Sequence, residues 1–110
     1  MILVIDVGNT NITYGVYRRN ELVATFRMTT KQARTSDEYG MSIMELLRIN
    51  AVEKEDLEGT IIASVVPNVM HSLTGAVTRY LKTPPLIVGP GVKTGIKVVT
   101  EIRRQIGADR

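Results

Sequence analysis

Apolar residues along this chain come in short runs whose spacing changes from strand-like to helix-like and back. Ile2-Leu3-Val4-Ile5 is an unbroken apolar run closed by Asp6, and Ile12-Thr13-Tyr14-Gly15-Val16-Tyr17 is an alternating stretch. They predict strands from about Ile2 to Asp6 and from about Ile12 to Tyr17. A third strand, from about Glu21 to Met28, follows the short polar connection Arg19-Asn20, so the chain opens as a meander of antiparallel hairpins. The stretch from Thr30 to Arg34 is polar. Thr35 and Glu38 then stand at the spacing of a capping box, which starts a helix from about Ser36 to Ile49 with Tyr39, Ile43, Leu46 and Leu47 on one face.

After the charged connection from Glu53 to Glu58, the run from Thr60 to Val66 is β-branched and apolar on both faces, as in a buried strand. Pro67 suits the first turn of a helix. The segment from Asn68 to Lys82 places Val69, Leu73, Val77, Tyr80 and Leu81 on one stripe, and Thr83-Pro84-Pro85 stops it. Leu86-Ile87-Val88 predicts a further short buried strand that leads into a glycine-rich loop. The order is therefore three strands, helix, strand, helix, strand, without an internal repeat or a low-complexity tract.

A length of 110 residues allows one small domain, and a domain of that size buries only about two-thirds of its unfolded surface. The chain has no cysteine, which removes disulfides, thiolate catalysis and Cys-ligated zinc and suits a reducing compartment. Met1 leads into the first apolar run without a basic leader, and no apolar run approaches membrane-spanning length. A cytoplasmic protein with no membrane partner is expected. The net charge is +3, yet Lys and Arg alternate with Asp and Glu along the chain, and one Phe, four Tyr and no Trp leave few stacking platforms. No nucleic-acid partner is expected.

The polar segment Asp6-Val7-Gly8-Asn9-Thr10-Asn11 between the first two strands is the richest in chemistry. It combines a carboxylate for a hydrated metal, a glycine for close backbone approach, and amide and hydroxyl donors for phosphate oxygens. Gly, Asn and Asp also dominate ordinary hairpin turns, so the hexapeptide alone leaves both readings open. Gly89-Pro90-Gly91-Val92-Lys93-Thr94-Gly95 is not a P-loop, because Val92 stands where that motif needs glycine before the lysine. Gly107-Ala108-Asp109-Arg110 can be a catalytic segment or merely a helix N-terminal aspartate with a surface arginine. His71 lies within the second helix with no Asp or Ser at helical spacing, which places it on the surface or in packing.

Together with Arg34-Thr35-Ser36-Asp37-Glu38-Tyr39 and Ser64-Val65-Val66-Pro67, these segments give five motifs in order, and from Met1 to Arg110 the chain resembles the type III pantothenate kinases. The resemblance implies membership of the actin, Hsp70 and sugar-kinase superfamily, in which two related domains clamp ATP. The implied fold is α/β, a ribonuclease-H-like (actin-type ATPase) domain whose mixed sheet has an antiparallel three-strand meander followed by helix-strand-helix-strand. Residues 1–110 would be the N-terminal nucleotide-binding domain, without the family's C-terminal domain. Such a half is expected to be inactive by itself and to self-associate.

The activity implied is ATP-dependent phosphorylation of pantothenate to 4′-phosphopantothenate, the first step of coenzyme A synthesis. In this resemblance Asp6, Val7, Gly8, Asn9, Thr10, Asn11, Ile12 and Thr13 contact the nucleotide, Ile12 through its backbone, and Asp6 holds Mg²⁺ through water. Asp109 takes the proton of the substrate hydroxyl, Arg110 binds the polar end of pantothenate, and Gly107, Ala108 and Thr100 belong to the same substrate site. Lys93 and Thr94 border that pocket. A monovalent cation, K⁺ or NH₄⁺, and a homodimer complete the implied assembly. The chain departs from the family at Thr100-Glu101-Ile102-Arg103, where a Tyr-acidic-Asn-Pro turn is usual. Two rival functions follow: a non-catalytic nucleotide-binding regulator, of the kind labelled transcriptional accessory factor, or a kinase for another small acceptor.

Overall fold

In the computed structural model, which describes residues 1–31, 33–64, 66–83 and 85–88, the first apolar run becomes the middle of the sheet. β1 (Ile2–Val7) pairs antiparallel with β2 (Asn11–Arg18), which pairs antiparallel with β3 (Glu21–Thr29). On its other edge β1 pairs in parallel with β4 (Gly59–Ser64), and β4 in parallel with β5 (Pro85–Val88). Among the described residues the sheet has five strands in the order β3-β2-β1-β4-β5. This is the mixed ribonuclease-H-like arrangement expected, because each parallel pairing needs a crossover and the two helices supply them.

Helix α1 (Ser36–Ile49) begins at the expected residue. The Thr35 hydroxyl accepts from the Glu38 N–H at 3.1 Å, and Glu38 Oε1 accepts from the Thr35 N–H at 2.8 Å, so two backbone donors are satisfied by the capping box. Helix α2 (Pro67–Ala76) has proline in its first turn, and Val77–Leu81 continues it as a wider π-helical turn closed by the Lys82 N–H on the Val77 carbonyl at 3.0 Å. Lys82, at φ 56°, ends the helix in the left-handed region. Sequence spacing predicted one uninterrupted helix, and the stripe Val69, Leu73, Val77 and Leu81 is indeed buried, while Tyr80 is half-buried.

Both helices cover one face of the sheet. Leu3, Ile5 and Val7 of β1, Ile12, Tyr14 and Val16 of β2 and Ile62 of β4 pack with Tyr39, Ile43 and Leu47 of α1 and with Val69, Leu73 and Ala76 of α2 and Val77 of its continuation. Each aliphatic side chain buried in this way is worth about 1.5–3 kcal/mol. The opposite face carries a smaller cluster, Ile2, Tyr17 and Ile61, with Val4 and Val88 against it. β4 is thus buried on both faces, as its sequence predicts. It ends at Ser64, not Val66, because Val66 serves as the N-cap residue of α2. β5 differs from expectation: Leu86 is 40% and Ile87 56% exposed. Among the described residues β5 has one neighbouring strand, and an apolar sequence alone does not bury it.

The helices touch where Gly40 of α1 lies under the ring of Tyr80. The Tyr80 hydroxyl donates to Asp37 Oδ1 at 2.6 Å, and Arg79 reaches the same oxygen at 3.3 Å. A methyl group on Gly40 would overlap the Tyr80 ring, which that hydrogen bond holds in place. Gly40→Ala is therefore expected to destabilise the domain by about 1–3 kcal/mol, read from denaturant unfolding, as overpacking does elsewhere.

Tyr14 is buried, and the partner of its hydroxyl is the Met28 sulfur at 3.4 Å, a weak acceptor. Burial raises the phenol pKa of Tyr14, and burial also raises that of Tyr39. A raised pKa means that the folded chain keeps its proton where the unfolded chain releases it. The associated stability is complete below the ordinary tyrosine value of about 10 and is lost as pH climbs above it. Tm should therefore fall above about pH 10. Tyr14→Phe should lessen that fall while changing stability at pH 7 by no more than about 1 kcal/mol.

Candidate phosphate-binding site at the end of the central strand

Side chains of β1 alternate, so Ile5 and Val7 enter the helix-covered core and Asp6 emerges on the opposite face, exposed. A carboxylate at this place in the middle of a sheet is tolerable because water reaches it. Register then decides its company. Asp6 lies opposite Thr13 of β2 and Ala63 of β4, and the same row continues to Arg27 of β3 and Val88 of β5. Asp6 thus sits near the carboxyl end of a parallel strand, where crossover topology leaves the crevice that α/β folds use for ligands.

The loop after β1 is tightly closed. The Gly8 N–H donates to the Asn11 carbonyl at 2.9 Å, and a Cβ on Gly8 would come within 3.1 Å of that oxygen. From the start of the next segment, Thr30 donates its N–H to the Thr10 carbonyl at 2.9 Å and its hydroxyl to the Gly8 carbonyl at 2.8 Å. The side chains of Asn9, Thr10, Asn11 and Thr13 are exposed with Asp6. Val7 and Ile12 oppose each other on the buried face, so they offer the site only main-chain atoms.

The structure therefore brings Asp6, Gly8, Asn9, Thr10, Asn11 and Thr13 together around one turn. Lys93, Thr94, Thr100, Gly107, Ala108, Asp109 and Arg110 lie outside the described residues. His71 is exposed, the surface placement being one of the two that its spacing left open. Thr30 escaped sequence reasoning, since a threonine after a strand carries no pattern of its own. Among the described residues no group of three His, Cys, Asp or Glu side chains is placed to hold a metal, and no helix is long and apolar enough to cross a membrane. A cavity of about 550 Å³ lies elsewhere, between the last turns of α1 and Tyr80, and shares no lining residue with the loop.

The sequence profile described as type III pantothenate kinase matches residues 2–110. The chain belongs to that family. It is 54% identical over 110 residues to a type III pantothenate kinase of Agathobacter rectalis, aligning along its whole length but spanning 42% of that relative. Among solved structures, a candidate N-acetylglucosamine kinase from Porphyromonas gingivalis matches with a TM-score of 0.61 at 14% identity, over 82% of this chain and 34% of that one. Thermus thermophilus RuvC matches with a TM-score of 0.56 at 14% identity, over 96% and 80% of the two chains. At such identities the likeness is one of fold: a kinase and a nucleic-acid enzyme share this sheet, so family membership and local chemistry must carry function.

Proposed function

We propose that the complete protein transfers the γ-phosphoryl group of ATP to the hydroxyl of pantothenate. The observation that carries this is the placement of Asp6 beside the closed Gly8-Asn9-Thr10 loop in a chain of the type III pantothenate kinase family. In this reading residues 1–110 are the N-terminal nucleotide-binding domain of a two-domain clamp. The assembly is a cytoplasmic homodimer that also uses K⁺ or NH₄⁺.

One exposed carboxylate flanked by a threonine suits Mg²⁺, which dehydrates reluctantly and keeps several waters. Bound there, Mg²⁺ would neutralise charge on the nucleotide phosphates. Asp6 holds the hydrated ion, Asn9 and Thr10 donate to phosphate oxygens, and Gly8 lets the backbone approach. Asp109 accepts the proton of the pantothenate hydroxyl as its oxygen bonds to the γ-phosphorus and the bond to the ADP oxygen breaks. Phosphoryl transfer proceeds through a loose transition state, so the carboxylate chiefly orients the hydroxyl. Arg110 offers a planar fork to the pantothenate carboxylate, and Gly107, Ala108, Thr100, Lys93 and Thr94 border the same pocket.

A coupled assay on the complete protein tests the activity: formation of ADP and 4′-phosphopantothenate is expected, and turnover of another acceptor in place of pantothenate would overturn it. Asp6→Asn should abolish or badly weaken the Mg²⁺ dependence of nucleotide binding in calorimetry. Equal wild-type affinity with and without Mg²⁺ would remove the metal role of Asp6. Asp109→Asn should retain nucleotide binding and lower turnover on the order of 10²-fold or more, the usual contribution of a positioned acid or base. Wild-type turnover in that variant would exclude Asp109 as the base.

A further inference from the structure

The Arg34-Thr35-Ser36-Asp37-Glu38-Tyr39 motif, to which phosphate chemistry assigns nothing, runs from the segment after β3 into the first turn of α1. Its geometry is that of a brace. Arg34 donates to the Thr29 carbonyl at 2.7 Å, and its guanidinium lies 5.7 Å from the centroid of the Tyr39 ring. The Tyr39 hydroxyl donates to the Lys31 carbonyl at 3.0 Å, and the Tyr39 ring itself is buried under the sheet. The carbonyls on both sides of Thr30 are thus tied to Arg34, just before the N-cap, and to Tyr39 in the first turn of α1, which the capping box holds in register.

Thr30, fixed from both sides, makes the two bonds that reach the loop. Its hydroxyl and N–H take the carbonyls of Gly8 and Thr10. With those carbonyls turned towards Thr30, the N–H groups of Asn9 and Thr10 have no acceptor among the described residues. A loop in this state presents donors to a ligand and withholds acceptors, which is what an anion requires. If either carbonyl turned outward, it would set a partial negative charge against the phosphate.

We propose that Thr30 is a positioning residue for nucleotide phosphate binding: braced by Arg34 and Tyr39, it holds the carbonyls of Gly8 and Thr10 away from the ligand. This rests on the Gly8-Asn9-Thr10 loop being the phosphate site. The brace also gives the motif at the head of α1 its purpose, since it transmits the position of the helix to the loop.

The test uses the complete protein, with ATP affinity from calorimetry, steady-state constants and thermal melts. Thr30→Val keeps the shape and loses the hydroxyl, and a lost hydrogen bond corresponds to roughly 3- to 10-fold in an equilibrium constant. Kd and KM for ATP should rise by that factor while KM for pantothenate stays unchanged, and Thr30→Ser should restore wild-type values. Thr25→Val removes a comparable bond on the preceding strand β3, from the Thr25 hydroxyl to the Tyr14 carbonyl at 3.0 Å, and should leave ATP affinity alone. Arg34→Ala frees the Thr29 carbonyl and should weaken ATP in the same sense, which keeps the test decisive if Thr30→Val folds poorly. Wild-type ATP affinity in both Thr30→Val and Arg34→Ala would overturn the proposal, as would equal weakening by Thr25→Val. Failure of the wild-type protein itself to bind ATP would overturn the phosphate-site reading and this proposal with it.

Discussion

Pairing of β1 along both of its edges is the constraint from which the other strands take their places. Each of its six residues has a partner in antiparallel β2 and another in parallel β4, so a slip of one residue would turn its whole pattern inside out. Leu3, Ile5 and Val7 would then face away from the helices, and Asp6 would enter the apolar core unpaired. The burial of those side chains and the desolvation of that carboxylate enforce the same register. Asp6 is therefore located by the packing of its neighbours, and the candidate chemistry depends on the core.

The second tier of organisation is the contact between the two crossover helices. α1 and α2 follow different strands yet share one face of the sheet, and Gly40 lets them approach closely enough for Tyr80 to reach Asp37. Accepting that hydrogen bond, Asp37 holds the Tyr80 phenol above the ordinary tyrosine pKa, and burial adds to the effect. The Ser36 hydroxyl donates to the Ser72 carbonyl at 2.9 Å, so the first turn of α1 is fastened to α2 at a second point. The N-cap Thr35 and Tyr39 bound that turn, so helix packing, helix capping and the support of the loop after β1 meet within the five residues from Thr35 to Tyr39.

A site built in this way divides the work. Asp6 and Thr13 stand on strands, whose positions the sheet dictates, while the donors of Asn9 and Thr10 stand on a short loop that needs external support. The candidate site is accordingly a row of exposed side chains and a turn instead of a deep pocket. The cavity beside α1 is lined by Met44, Leu47 and Val52 with charged residues around them, and lacks any link to the loop.

Local chemistry made much of this protein legible before its structure. The capping box, the proline in the first turn of α2, the alternation in β2 and the carboxylate ending an apolar run are signals that act within a few residues, so the chain by itself determined the elements and their order. Family motifs pointed to the loop after β1. What sequence left open depends on contacts between distant segments. Neither the exposure of Leu86 and Ile87 nor the widening of the helix at Val77–Leu81 has a local pattern in the sequence. Which side chains surround Asp6 is a matter of register across five strands, and Thr30 became visible only when folding brought it to the carbonyls of Gly8 and Thr10. Tertiary structure decided these points because partners in different elements leave no spacing in the sequence for a local pattern to record.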